Sequence, residues 1–365
     1  MNLRIPGPTP LPPSVREALS KQMISHRSPE FAALQERIVH RLRSVFQTQG
    51  DILLLASSGT GGLEASVVNL ISPGDKVLAL SIGFFGDRFA DIAEAFGAEL
   101  IKVNFPLGQA VDLEVLDQLL AANPELKLVL VTHNETSTGV TNPLKEIAQA
   151  VKERSHALLG VDAISSIGSI PLAVDAWRCD VVVTGSQKSW MIPPGMAMVS
   201  VSPAAWEATR RAQSRRFYWD FAKMREAMAK GQTPFTPSIA LYYALDEALR
   251  LMEEEGWDHV IARHRWIADH TRAGVKALGL ELLADEAYAS NTVTAIRTGA
   301  AIDAEELRAV LRDEYQVLLG GGFGELRGKI VRIGHLGYVS QSDIDDCLEA
   351  MEKALAKLRS RVKTV

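Results

Sequence analysis

The chain has 365 residues, 47% of them hydrophobic and 23% charged, with a net charge of -5. These are the proportions of an ordinary soluble globular protein, and the length is enough for two domains. Lysine and arginine are spread along the chain, leaving no footprint for nucleic acid or acidic lipid, and no apolar run approaches the ~20 residues of a membrane helix. The opening run MNLRIPGPTPLPP lacks the apolar core of a signal peptide. Two cysteines, Cys179 and Cys347, offer neither a disulfide framework nor metal-ligand spacing. A reduced, cytoplasmic protein without a metal is expected.

Strand-like and helix-like patterns alternate from the first helix onward. SPEFAALQERIVHRLRSVF puts Phe31, Leu34, Ile38, Leu42 and Val45 on one helical face. DILLLASS reads as a buried strand, and GTGGLEASVVNLI as a helix opened by glycine. SPGDKVLALS is a turn and strand, and DRFADIAEAFG is a helix stopped by Gly97. ELIKVNF, LEVLDQLLAAN, LKLVLVTHN, NPLKEIAQAVKERS and ALLGVDAISS continue the alternation. Val181 to Val183 and Met196 to Val201 read as two further buried strands. Such βα repetition predicts an α/β fold with a mostly parallel sheet and helices on both faces.

The pattern changes near Trp257. HVIARHRWIADHTRAGVKALG is a long amphipathic helix, LELLAD and TVTAIRT read as strands, and DAEELRAVLRDEY, KIVRIGHLG and the last helix complete a smaller α+β unit. The expected division is an N-terminal segment over 1–20, a large α/β domain over 21–256 and a small domain over 257–365.

Four features stand at predicted strand ends, where doubly wound sheets build their sites. In SSGTGGLEA, Ser58, Gly59, Thr60 and Gly61 offer backbone amides at a helix start, an anion site by its dipole and unpaired N–H groups. A tight turn that needs glycine explains this stretch equally well. Asp162, in LLGVDAISSIG, directly follows an apolar strand, which is costly unless a cation or donors meet it. A helix cap would account for it too.

Lys188, in TGSQKSWMIPPG, stands in a small-residue turn between two core strands. Most lysines snorkel out of such turns, but one held in a desolvated pocket becomes a nucleophile toward carbonyls. The 26 positions from Asp162 to Lys188 suffice to leave one strand and return along its neighbour. Arg332, in GKIVRIGHLG, alternates with Val331 and Ile333. It reads as an exposed strand arginine or as a planar fork for a carboxylate. A phosphate cradle, a buried acid and a strand-end lysine together describe a pyridoxal phosphate site.

In this order the motifs resemble class V, fold-type I pyridoxal phosphate enzymes, with THNETSTGV, GVDAISSIG and TGSQKSWMIPPGMAMVSVS as the specific stretches. The closest likeness is to alanine–glyoxylate, serine–glyoxylate and serine–pyruvate aminotransferases, over nearly the whole chain. The resemblance implies a seven-stranded sheet and transamination between serine or alanine and glyoxylate or pyruvate. It implies that Lys188 bonds the cofactor's aldehyde and moves the Cα proton, and that Asp162 pairs with the ring nitrogen. Gly59, Thr60 and Gly61 would hold phosphate with Gln187 beside them, Phe85 would stack on the ring, and Thr136 would meet the ring hydroxyl. Arg332 would take the substrate carboxylate, and Gly7 in GPTP would cover the pocket.

Second-subunit residues that reach the phosphate in relatives match GQTPFTP, giving Gln232, Thr233 and Thr236, hence a homodimer with shared sites. His26 and Arg27 in HRSPEF fall near the same entrance or simply at a helix start. A cysteine desulfurase would carry a reactive cysteine before the arginine, and LLGGGFGELRGK has none. Phosphoserine aminotransferase, decarboxylase or aldolase chemistry, and a non-catalytic scaffold remain as alternatives. Small residues at Gly7 and Gly320 to Gly322 point to a small substrate pocket.

Overall fold

The computed structural model describes residues 1–300 and 302–362. It begins with β1 (Asn2–Arg4), α1 (Pro13–Ala18) and α2 (Pro29–Phe46). Ser28 caps α2 through the amide of Phe31, with Pro29 preset for the first turn. Phe31, Leu34, Ile38 and Leu42 are buried along it as its spacing predicts, and Val45 packs half-buried at the edge.

The alternation then runs through β2 (Asp51–Leu55), α3 (Gly59–Leu70), β3 (Lys76–Ser81), α4 (Phe84–Ala95), β4 (Glu99–Asn104), α5 (Leu113–Ala122) and β5 (Leu128–Thr132). A small hairpin of β6 (Asn134–Glu135) and β7 (Val140–Thr141) precedes α6 (Leu144–Arg154), β8 (Leu158–Asp162), β9 (Val181–Gly185) and β10 (Ala197–Val201). Three helices follow, α7 (Pro203–Arg211), α8 (Phe221–Met228) and α9 (Ile239–Glu255). Gly256, at φ +88°, turns the last of them into α10 (Trp257–Ala277). The chain ends with β11 (Glu281–Leu282), β12 (Val293–Arg297), α11 (Ala304–Tyr315), β13 (Val317–Gly321), β14 (Ile330–Gly334) and α12 (Gln341–Val362).

The large sheet has seven strands in the order β2-β10-β9-β8-β5-β3-β4. Only β10 runs antiparallel to its neighbours. Successive side chains of a strand point to opposite faces, and the core divides accordingly. Leu54, Leu78, Val129, Val161 and Val182 belong to one apolar cluster, whereas Leu53, Val77, Leu130, Val183 and Val199 belong to the other. Covered on both faces, these strands read as continuous apolar runs, as a buried parallel sheet requires.

The second sheet is ordered β1-β13-β14-β12-β11. Its edge strand β1 comes from the chain's first residues and pairs parallel with β13, Asn2 opposite Val317. Neither strand stands out in the sequence, because β1 is three residues long before a proline and β13 ends in glycines. LELLAD forms only a two-residue strand, at β11.

Candidate active site

Asp162 is the last residue of β8, level with Thr132 of β5 and Val183 of β9. Its Oδ1 accepts the Ile164 amide at 2.9 Å, so it acts as a local turn cap as well as a buried acid. Burial pushes its carboxyl up to about 7; the charge of Glu135 adds to this, while the Ile164 amide, Lys188 and Arg88 oppose it.

Lys188 lies just beyond β9, which pairs in parallel with β8, so both groups emerge at one end of the sheet. The turn carrying it is firmly based. Ser186 Oγ donates to the Pro193 carbonyl at 2.7 Å, and the fully buried Trp190 donates its indole N–H to Thr184 Oγ1 at 3.0 Å. Desolvation lowers the ammonium to about 8; the nearby Arg332 charge lowers it further, and Asp162 pulls the other way. Nζ donates to the Pro6 carbonyl at 2.6 Å. The N-terminal segment is pinned beside it by Thr9, whose amide reaches Gln187 O and whose hydroxyl reaches Lys188 O. Gly7, at φ +139°, passes so close that a Cβ there would stand 2.5 Å from Nζ.

A cleft of about 550 Å³, counting its open mouth, brings together Gly59, Thr60, Phe85, Thr136, Asp162, Gln187 and Lys188. Helix α3 points its first turn at this cleft, and its first internal bond runs from Gly62 N to Ser58 O. The glycines themselves answer packing demands. A Cβ on Gly59 would come within 2.6 Å of Ile164, and one on Gly62 within 2.7 Å of Val183. Gly61 does not line the cleft: its open side faces Ser57 and Trp219, and its amide sits 3.4 Å from the capping Ser58 Oγ.

Phe85 is held by Glu135, whose Oε2 accepts the amides of Phe85 and Gly86 at 2.9 and 3.0 Å. Arg332 is not an exposed strand residue, because all of β14 is buried and Arg332 is only 5% exposed. Its Nε donates to Gly321 O at 2.7 Å and one NH1 proton to Thr136 O at 2.8 Å. Desolvation lowers it to about 10; Glu135 opposes this and Arg308 adds to it. The guanidinium borders a groove that also holds Gly7 and Gly320 to Gly322.

Gln232 and Thr233 are not in this chain's own cleft. Gln232 accepts from exposed Arg27 at 2.5 Å, and Thr233 donates to Phe235 O at 2.8 Å. Thr236 lines a separate apolar pocket with Tyr218 and Trp219. Cys179 and Cys347 are core residues, their thiols pushed up to about 12 by burial. Sequence reasoning missed Arg88, Asn134, Glu135 and Ser165. Arg88 stands one helical turn after Phe84 and Phe85 and packs on both rings, at 5.1 and 5.0 Å. That i, i+3/i+4 spacing was the available signal.

Chemically, the cleft has two complementary ends. Asp162 is a desolvated acid that gains from a cation, while the start of α3, Thr60 and Arg88 favour an anion. Gln187, which also lines the cleft, has its Oε1 buried with no partner among the described residues. The family model for aminotransferase class-V matches residues 2–345. The chain belongs to the class-V aminotransferase family.

Among its relatives, the soluble hydrogenase 42 kDa subunit of Anabaena cylindrica is 43% identical, over 98% of this chain and 93% of its own length. The L-aspartate–glyoxylate aminotransferase of Paracoccus denitrificans is 38% identical, over 97% of this chain and 91% of its own. The solved structure of alanine–glyoxylate aminotransferase from Nostoc sp. overlays with a TM-score of 0.93 at 32% identity, covering 97% of this chain and 94% of that one. Class-V aminotransferases use pyridoxal phosphate, and the residues of the cleft fit it: a cation-seeking acid for the ring nitrogen, an anion-seeking helix start for the phosphate, and an amine between them.

Proposed function

We propose that this class-V aminotransferase moves an amino group from a small donor, serine or alanine, to glyoxylate or pyruvate. The observation that carries the reading is Lys188 and Asp162 facing one cleft at adjacent strand ends, the amine lowered to about 8 and the acid raised to about 7. When bound, pyridoxal phosphate supplies an aldehyde and an electron-withdrawing ring. Lys188, partly neutral near neutral pH, would take the proton from the donor's Cα and deliver it to the carbon of the cofactor's aldehyde. Asp162 keeps a proton at the ring nitrogen, and Gly59, Thr60 and Gln187 hold the phosphate end with help from Arg88. Phe85 covers the ring, and Thr136 orients its hydroxyl.

Arg332 takes the substrate carboxylate. With Nε and one NH1 proton already bound to carbonyls, NH2 and the remaining NH1 proton are left to take the carboxylate. Pro6 and Gly7 close over the amine and exclude water. Homodimer formation belongs to the same proposal: Gln232 and Thr233 lie outside their own cleft and would complete a partner's, beside the exposed rings of Phe217 and Tyr218. The proposed division at Trp257 would let the smaller sheet carry Arg332 to the cofactor. A cytoplasmic location rests on two buried, unpaired thiols.

Aspartate is the second reading for the donor, favoured by the relative that is 38% identical. The test is the visible band of the purified, cofactor-loaded protein on addition of single donors. Bleaching by serine or alanine and recovery with glyoxylate or pyruvate is the expected result; bleaching by aspartate alone selects the second reading. Lys188→Ala should abolish turnover, and a variant that still turns over removes the assignment.

A further inference from the structure

Phe323 lies on the loop between β13 and β14, in the run Gly320-Gly321-Gly322-Phe323-Gly324. Its ring stacks on Phe84, with centroids 4.4 Å apart and planes 10° from parallel. The Arg332 guanidinium carbon stands 4.7 Å from the centroid of the same ring. Phe85 meets it edge-on at 5.8 Å. A single side chain thus touches the start of α4, the aromatic lining of the cleft and the arginine of the small sheet. The loop is bent to place it there. A Cβ on Gly322 would overlap the Leu326 carbonyl, and Gly324 has φ +51°.

A carboxylate on the free edge of Arg332 lies in the plane of the guanidinium. The α-carbon follows in that plane, and its side chain must leave toward one face. The guanidinium carbon lies over the Phe323 ring, so that ring bounds the space beside the fork. We infer that Phe323 is a specificity-determining residue: its ring, backed by Phe84, is the wall that limits the donor's side chain to a few atoms, and it holds the Arg332 fork toward the carboxylate. The inference rests on the transamination reading above. Mere docking of the loop would be served by any apolar side chain, whereas contact with a buried arginine uses the electron-rich face of an aromatic ring.

The experiment follows bleaching of the cofactor-loaded protein by L-alanine, L-serine, L-leucine and L-phenylalanine, in wild type, Phe323→Ala, Phe323→Leu and Phe323→Tyr. Phe323→Ala should raise the half-saturating alanine concentration roughly threefold to tenfold, from the lost ring–guanidinium contact, with a smaller fall in limiting rate. It should also admit leucine and phenylalanine, which wild type rejects. Phe323→Tyr should restore the wild-type profile. Phe323→Leu should keep the wall but not the tight carboxylate, and it decides the matter if the alanine variant does not fold. Calorimetric titration with propionate, which needs no turnover, should show weaker binding to Phe323→Ala and Phe323→Leu. An unchanged donor profile and unchanged propionate affinity in Phe323→Ala overturn this inference alone. A wild-type protein that bleaches with no donor overturns it together with the transamination reading.

Discussion

Replacing Lys188 with methionine should stabilise the cofactor-free protein, and the gain should shrink as pH rises. The ammonium of Lys188 is lowered from 10.5 to about 8, chiefly by desolvation. The folded protein therefore binds that proton less tightly than the unfolded chain does. The cost is full below the folded value, falls as pH climbs past about 8, and is gone above 10.5. A difference of about 2.5 units corresponds to about 3.4 kcal/mol at ~1.4 kcal/mol per unit. The side chain is half-buried, with its cleft side open to water, and it gives up a hydrogen bond to Pro6 O worth about 1 kcal/mol. A net gain of about 1–2 kcal/mol at pH 6 is expected, declining by roughly 1 kcal/mol by pH 9. Urea unfolding of cofactor-free wild type and Lys188→Met across that range measures it. A difference that is flat, or that grows with pH, would mean the amine is not desolvated, and the case for its nucleophilicity would go with it.

Asp162 gives the opposite slope. Its carboxyl is raised from 3.8 to about 7, so the contribution it makes to cofactor-free stability is present below 3.8 and is lost as pH rises through about 7. Asp162→Asn should gain on wild type between pH 5 and pH 8 in the same unfolding assay, while losing turnover. Gly7→Ala puts a Cβ 2.5 Å from Nζ and forces an alanine into φ +139°. It should cost about 1–2 kcal/mol of stability by thermal melting and lower kcat, since the lysine must move. Arg332→Lys removes the two-pronged edge and should raise KM for the amino donor roughly tenfold or more in steady-state assays, with the cofactor spectrum intact.

The alternation of apolar runs and amphipathic helices was enough by itself to specify the α/β architecture, because a strand buried on both faces can be written only as a run such as Val181 to Val183. The same holds for the reactive pair. Asp162 and Lys188 follow adjacent apolar strands, and parallel strands joined by a crossover present their C-terminal ends on one side. Local pattern also marked the capped start of α3, though not that its glycines serve Ile164 and Val183 as much as any anion.

What the chain's order could not reveal is who meets whom across the fold. Arg332 alternates with apolar neighbours like a surface residue, and its bonds to Gly321 O and to Thr136 O, the latter 196 positions away, hold it inside. Its contact with Phe323, the stacking of Phe323 on Phe84, and the pairing of β1 with β13 are likewise partnerships between distant segments. Periodicity describes how one segment faces a core. It carries no address for the partner, which is settled only when the two sheets pack and each buried donor must find an acceptor.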